Sequence, residues 1–405
     1  LRSHLEPLLL EDSVTLEIKP RATMMPQQAA LDAGGARALE FLRQVGRSEG
    51  GLRIMSTLGE GGMGVVRAAR QVALGRDVAL KTLRESPEDP GATLRLLREA
   101  WITGSLEHPN VVPIYDVSIA EDGGPQIVLK KIEGASWSEL LRDEEEVARR
   151  FGASDALDWH LRTLMQVANA IHFAHSRGII HRDIKPDNVM IGRFGEVYVL
   201  DWGVAVSLVD DGTGRLPLVG DTLEITGTPA YMAPEMLGAS AARLGVHTDV
   251  YLLGAVLYEI LVGSPPHDKK TFAAIIESVL AGPVPLPDTV PAELAQIVRT
   301  AMALEPDDRF ADAQTFRLAV TEFLAHRGSL GLADEADERL RALSEASASS
   351  HRLVSEPQRL QLYRLFAEAK MGYWQALRAW PRNERARLGL RHAFACMRSE
   401  ERRVG

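Results

Sequence analysis

The string HRDIKPDN at residues 181–188, with DWG beginning 18 residues after its first Asp, constrains this chain more than any other feature. It supplies a carboxylate (Asp183), a cation two positions on (Lys185), an amide (Asn188) and a second carboxylate (Asp201). Any fold the chain adopts has to gather these polar side chains. The set suits phosphoryl transfer from Mg-ATP to a hydroxyl. That chemistry needs a group to orient the hydroxyl, hard oxygen ligands for a metal and a positive charge near the moving phosphate.

A second motif lies upstream. LGEGGMGVV at 58–66 has the spacing Gly59-x-Gly61-x-x-Gly64. Alone this pattern is weak, because dinucleotide-binding folds use it where a strand passes into a helix. Here Val65, Val66 and a strand pattern follow, then VALK at 78–81. That order fits a strand-turn-strand flap whose glycines let backbone N–H groups approach phosphates. Lys81 falls on a strand pattern and Glu99, 18 residues later, on a helical one. A lysine aimed at phosphates needs a carboxylate to hold it extended.

The runs LRIMSTL, GVVRAARQ, RDVALKTL and QIVLKKI between residues 52 and 132 read as strands. TLRLLREAWITGSL at 93–106 repeats its apolar residues at helical spacing, so this stretch predicts a small α+β lobe. After Trp159 the pattern turns helical. HLRTLMQVANAIHFAHSRG sets Leu161, Leu164, Met165, Ala168 and Ile171 on one face and stops at Gly178. EVYVLD reads as a short strand, and 249–262, 271–281, 291–303 and 312–326 as helices.

Together these motifs resemble the protein Ser/Thr kinases over residues 52 to about 326, roughly two thirds of the chain. GGMG, EHPNVVPIYDV at 107–117 and DWG in place of DFG are similar to the bacterial, Hanks-type members. The resemblance implies an α+β bilobal kinase fold, with a small antiparallel β lobe at 52–132 and a large helical lobe at 133–326. It also implies a role for each matching residue. Asp183 would orient the substrate hydroxyl and accept its proton, Lys185 would steady the γ-phosphate, and Lys81 held by Glu99 would reach the ATP phosphates. Asn188 and Asp201 would hold Mg²⁺, with Mn²⁺ as the alternative metal. Leu58, Val66, Ala79 and Met190 would enclose the adenine, under a lid of Gly59, Glu60, Gly61, Gly62, Met63, Gly64 and Val65. Leu129 would be the gatekeeper, with Lys130 and Ile132 offering hinge backbone groups. His181 would pack beneath the catalytic loop, and Trp202 would pack under the helix carrying Glu99. Lys130–Lys131 stands where the family more often has an acidic-aromatic pair.

KPDN and GTPAYMAPE at 227–235 resemble the Ser/Thr subgroup. By the same likeness Thr228 would touch the catalytic loop, Glu235 would pair with Arg309 of PDDRF, and Asp249 would hold the loop backbone. Arg182 would meet a phosphate on the activation segment, 201–235, where Thr222 and Thr226 are the nearest hydroxyls and Ser207 and Thr213 weaker choices.

Composition narrows the remaining classes. A net charge of −9 argues against nonspecific nucleic-acid binding. The one cysteine, Cys396, allows no intrachain disulfide, which suits a reducing compartment, and no Cys/His zinc pattern occurs. The most apolar run, 251–263, is too short for a membrane span and contains a Glu; no signal-peptide pattern opens the sequence, so a cytoplasmic location is expected. Residues 1–50 are expected to be a flexible leader with a short helix at 36–47. Residues 327–405 are expected to form a helical tail. In it, Ala369, Tyr373, Ala376 and Pro381 resemble part of one tetratricopeptide repeat around 350–383.

The expected partners are protein substrates, a second copy of the chain, and a protein that binds the tail. A pseudokinase scaffold would lack Lys81, Asp183 or Asp201, and all three are present. A small-molecule phosphotransferase needs no GTPAYMAPE platform, and a single repeat does not make a repeat-type binding protein.

Overall fold

The computed structural model describes residues 52–60, 64–84, 89–120, 123–221, 225–238, 243–282, 285–348 and 356–404. The leader and its expected helix at 36–47 lie outside these residues, as do Gly61, Gly62, Met63 and Thr222. The described residues fall into two compact units that divide after Arg317.

In the first unit, β1 (Leu52–Glu60), β2 (Gly64–Gln71) and β3 (Arg76–Leu83) run on to helix α1 (Pro90–Ser105), then β4 (Ile114–Ile119) and β5 (Pro125–Lys130). They make an antiparallel sheet of order β1-β2-β3-β5-β4. α1 starts where the Asp89 side chain accepts from the Gly91 N–H at 2.8 Å, with Pro90 in the first turn. Strand alternation sends Val78 and Leu80 into a cluster with Ala69 and Val128. Ala79 and Lys81 therefore take the opposite face. There Lys81 lies across from Ile127, which packs on Leu96 and Ala100 of α1.

The larger, mainly helical part holds β6 (Gly134–Ser136), α2 (Trp137–Leu140), α3 (Glu144–Phe151), α4 (Ala156–Ser176), β7 (Ile179–Ile180), β8 (Val189–Gly192), β9 (Val197–Val199), β10 (Val206–Ser207), α5 (Val246–Val262), α6 (Phe272–Leu280) and α7 (Ala292–Ala301). Of the face predicted for α4, Leu161, Leu164, Ala168 and Ile171 are fully buried and Met165 is half-buried. Every residue of α5 from Thr248 to Glu259 is buried, so the most apolar run of the chain is a core helix. Among the described residues no helix is long and apolar enough to cross a membrane. Sheets β6-β8-β9 and β7-β10 flank the catalytic string. The sequence pattern does not announce β4, β6, α2 or α3. The last two are held by local chemistry: a Ser136/Glu139 capping box for α2, and for α3 three glutamates in its first turn with two arginines in its last.

The second unit consists of helices. α8 (Ala313–Ala348) runs unbroken through the boundary expected at 326/327, and α9 (Glu356–Ala379) and α10 (Glu384–Val404) complete the set. Ala333, Ala336, Leu340 and Leu343 pack with Ala369, Tyr373, Ala376, Ala386 and Ala393. The repeat expected around 350–383 is not a helix pair of its own, because α9 has no turn between 356 and 379. Its small and aromatic positions instead form one face of a single helix within the cluster.

Candidate active site

Three of the four residues that opened the sequence reading, Asp183, Lys185 and Asn188, meet at one point, joined there by Thr228. The Asn188 Nδ2 donates to the Asp183 carbonyl at 2.8 Å and to its Oδ2 at 2.9 Å. The Lys185 ammonium lies 3.1 Å from Asp183 Oδ2 and donates to Thr228 Oγ1 at 2.6 Å. The Thr228 hydroxyl donates to Asp183 Oδ1 at 2.6 Å. Asp183, Lys185, Asn188 and Thr228 are all buried. A buried carboxylate persists only when its lone pairs are met by donors, and here an amide, a hydroxyl and an ammonium meet them.

The loop is held from below. Arg182 has φ 65°, a left-handed conformation that costs a side-chain-bearing residue on the order of 1–3 kcal/mol. Asp249, at the start of α5, offsets that cost by accepting from the His181 N–H at 2.8 Å and the Arg182 N–H at 2.9 Å. His175 Nε2 lies 2.9 Å from the same carboxylate. Burial alone would push the Asp249 carboxyl up. The hydrogen bond and charge of His175, with the His181 amide, outweigh burial and hold it below the usual carboxylate range. His181 is fully buried, 3.2 Å from the Leu200 carbonyl, and its ring lies 4.5 Å from that of buried Trp202.

Lys81 is clasped by both oxygens of Glu99, at 2.6 and 2.7 Å. Burial works against the ammonium, but the Glu99 and Asp201 carboxylates outweigh it and hold its pKa above that of free lysine. Burial pushes the Glu99 carboxyl up, Lys81 pulls it down, and Asp201 adds to the rise. The two directions compete, and the two-oxygen clasp decides between them in favour of the ion pair. Asp201 sits at φ 54°, the other non-glycine left-handed residue among those described, within electrostatic reach of Lys81.

The platform segment is fastened at both ends. Gly227, at φ 109°, lies so close to the catalytic loop that a Cβ there would stand 2.7 Å from the Arg182 carbonyl and 2.8 Å from Met236. Only glycine fits that approach. At the far end Arg309 grips Glu235 with Nη1–Oε1 at 2.7 Å and Nη2–Oε2 at 2.9 Å. It also donates to the Ala303, His247 and Leu304 carbonyls. Between these ends Tyr231 donates to Glu259.

Arg182 and Thr226 are both turned inward in this structure. Arg182 is buried, and its guanidinium donates to the Val204 carbonyl at 2.8 and 2.5 Å, so it is engaged by backbone. Burial pushes its pKa down to about 10, which leaves it charged at neutral pH. Thr226 is 2% exposed, so its hydroxyl does not face solvent as an open phosphate site would. At the hinge, β5 ends at Lys130, and Ile132 lies beyond the strand. The Lys130 N–H donates to the Pro113 carbonyl at 3.0 Å. The Lys130 side chain is turned onto Tyr198, donating to its hydroxyl with the ammonium 4.6 Å from the ring centre. Lys131 pairs with Asp77 at 3.5 Å.

The remaining expected nucleotide residues lie where the strands put them. Ala79 is opposite Leu129 and Ala68 in the sheet, Val66 is opposite Gly59, and Val65 opposite Glu60. Leu58 is half-exposed on β1, Met190 lies on β8, and Gly64 opens β2 with no room for a Cβ beside the Thr82 carbonyl. The residues present fit Mg-ATP. With its Nδ2 spent on Asp183, Asn188 retains an amide oxygen, and Asp201 adds a carboxylate. Mg²⁺ is usually held by one or two such oxygens together with phosphates and water, so no larger carboxylate cage is required.

Sequence reasoning did not find His175 under the catalytic loop, Glu259 behind Tyr231, or the Lys130–Tyr198 link. His175 does stand in the last turn of a helix that the sequence places correctly, but nothing local ties it to a carboxylate 74 residues away.

The family model described as the protein kinase domain matches residues 52–326. Serine/threonine-protein kinase PknB of Mycolicibacterium smegmatis is 36% identical over 269 residues, covering 64% of this chain and 41% of the relative. Serine/threonine-protein kinase PknD of Chlamydia muridarum is 34% identical over 296 residues, 67% of this chain and 31% of the relative. PknB of Mycobacterium tuberculosis is 32% identical over 301 residues, 72% and 45% respectively. This chain thus spans less than half the length of these relatives.

Proposed function

This chain belongs to the protein kinase family, and we propose that it moves the γ-phosphoryl group of ATP onto Ser and Thr hydroxyls of proteins. The observation that carries this reading is the buried knot of Asp183, Lys185, Asn188 and Thr228, together with a Lys81–Glu99 pair that has Asp201 within electrostatic reach. Asp183 orients the incoming hydroxyl and takes its proton. Lys185, already next to Asp183, offsets negative charge as the phosphoryl group moves. Lys81 grips the ATP phosphates, extended by Glu99. Asn188 and Asp201 hold Mg²⁺, or Mn²⁺, which neutralises charge across the phosphates when bound. Leu58, Val66, Ala79 and Met190 enclose the adenine beneath the glycine lid, with the Lys130 carbonyl and Ile132 at the hinge and Leu129 as gatekeeper. Thr228 couples the platform to Asp183, which suits a polypeptide substrate.

Activation follows from autophosphorylation at Thr222 or Thr226, in a signalling role. A phosphate on Thr226 requires the segment to open and Arg182 to leave the Val204 carbonyl, so the modification and the ordering of this loop are linked. A cytoplasmic setting is supported by the single cysteine. The test is incubation of the chain with γ-labelled ATP, Mg²⁺ and a generic basic protein, followed by phosphoamino-acid analysis and mapping of the chain itself. Phosphoserine and phosphothreonine that disappear in Asp183→Asn are expected. Phosphotyrosine alone, or equal labelling in both chains, contradicts the reading.

A further inference from the structure

We propose that Lys130 and Tyr198 act as a pair of positioning residues that sets the width of the adenine slot. Lys130 ends β5 and follows Leu129, the expected gatekeeper. In the sheet it lies opposite Val78, and Leu129 lies opposite Ala79. It is therefore part of the small-lobe wall that carries Ala79. Tyr198, in β9, lies opposite Met190 in β8. Opposed residues of an antiparallel pair present their side chains on the same face, so Tyr198 and Met190 stand side by side on the large-lobe wall. The Lys130 ammonium donates to the Tyr198 hydroxyl and lies 4.6 Å from its ring centre. One side-chain contact joins the wall that would cover the adenine to the wall that would floor it.

The rest of this junction is backbone. The Val112 N–H donates to the Val199 carbonyl at 3.2 Å, and the Val199 N–H to the Asn110 carbonyl at 2.7 Å. The Lys130 N–H reaches the Pro113 carbonyl from the other side. Residues 110–113 are thereby stitched to β9 and to β5, and Tyr198, beside Val199, is buried and held in place. A lysine side chain is flexible and strongly hydrated, so seating it on a buried ring needs a specific reward. Here the reward is a charge-assisted hydrogen bond together with the negative face of the ring. The hydrogen bond to Tyr198 outweighs burial and holds the Lys130 ammonium above the pKa of free lysine, so it stays charged at neutral pH. Lys131 is engaged elsewhere, 3.5 Å from Asp77 and 3.7 Å from Glu133, and does not compete for Tyr198. The pair has this task only if the slot takes ATP as proposed above.

The test measures Mg-ATP binding by calorimetry and phosphotransfer by initial rates on the full chain. The variants are Tyr198→Phe, which removes a single oxygen, Lys130→Met, and the two combined. The dissociation constant and the KM for ATP are expected to rise about three- to tenfold in each single variant, with kcat within about twofold, because neither group meets the moving phosphate. The double variant should match the weaker single one instead of multiplying the two effects, since one contact is lost in each case. Lys130→Arg keeps a charged donor over the ring and should bind ATP within about twofold of the native chain. Thermal unfolding of the unliganded chains checks their folding; if Lys130→Met does not fold, Tyr198→Phe decides alone. Unchanged ATP affinity in the single variants, multiplied effects in the double, a fall in kcat at constant KM, or a Lys130→Arg chain as weak as Lys130→Met overturns the proposal. A native chain that binds Mg-ATP but transfers nothing overturns the catalytic reading and leaves the binding constants to decide this one. A native chain that takes up no Mg-ATP overturns both.

Discussion

The catalytic loop and the tail are both well packed, but they bury opposite kinds of residue. Around 181–249 the buried groups include charges: Arg182, Asp183, Lys185, Glu235 and Asp249, each held by named donors or acceptors. In the tail the buried groups are mostly alanine and leucine, with Tyr373, Phe323 and Met397 among the larger side chains. A polar knot there, Asn383 to Ser329 to the Ala376 carbonyl, ties the α9–α10 turn to α8. The difference teaches what each region is built for. Buried charges add little net stability compared with apolar residues, so a region that retains them is held in one geometry for chemistry. A core of Ala and Leu has only to bring helices together.

The sharpest way to break this comparison is Arg309→Met. It strands the Glu235 carboxylate without its partner in the interior, and removing one member of a buried pair typically costs about 3–5 kcal/mol. Chemical unfolding of the full chain should show the catalytic unit weakened and the tail transition unmoved. A loss under about 1 kcal/mol would mean the pair is not the clamp described.

Acid provides a second probe. His160 accepts from the Trp137 indole N–H at 3.0 Å, and the His267 ring lies between Tyr251 and Ser278. Burial pushes the pKa of each down to about 4. The unfolded chain takes up these protons near pH 6.5 while the folded one refuses them until about pH 4, so stability falls as pH drops through that window. The loss is at most about 3 kcal/mol for each histidine. Thermal unfolding that is flat across that window would refute the burial of both rings as neutral groups.

The smallest effect belongs to the tail. A Cβ on Gly389 would lie 2.3 Å from the Tyr373 ring, whose hydroxyl donates to Asp337. Gly389→Ala gains about 1 kcal/mol of helix propensity but forces overpacking of about 1–3 kcal/mol. A net loss of stability in the tail, with phosphotransfer unchanged, is expected in calorimetry and rate assays. A stabilised tail would show that α10 does not seat against Tyr373.

These two regions were also unequally legible. Asp183 and Asn188 stood out because phosphoryl transfer needs a carboxylate and an oxygen ligand, whereas Thr228, Asp249 and the Glu235–Arg309 pair were read only from the resemblance of their motifs to the kinases. The partner of Arg182 could not be read at all, since a backbone carbonyl such as that of Val204 carries no residue identity. His175 and His267 were missed because their partners are distant in sequence or sit in ordinary helix positions. In the tail, the sequence reading ended a helix at 326, yet α8 continues through Gly328 and Gly331. Each glycine costs about 1 kcal/mol there, and packing by Ser329 and Ala333 overrides it. α2 and β6 are simply too short to leave a periodic signal.

The central claim is tested most directly by measuring Mg-ATP binding and phosphotransfer side by side in the native chain and in Asp183→Asn. The account predicts saturable Mg-ATP binding in both, with transfer slowed on the order of 10²–10⁴-fold in the variant, because only the proton-accepting group has gone. Equal transfer rates, or a native chain that does not bind Mg-ATP at all, would contradict it.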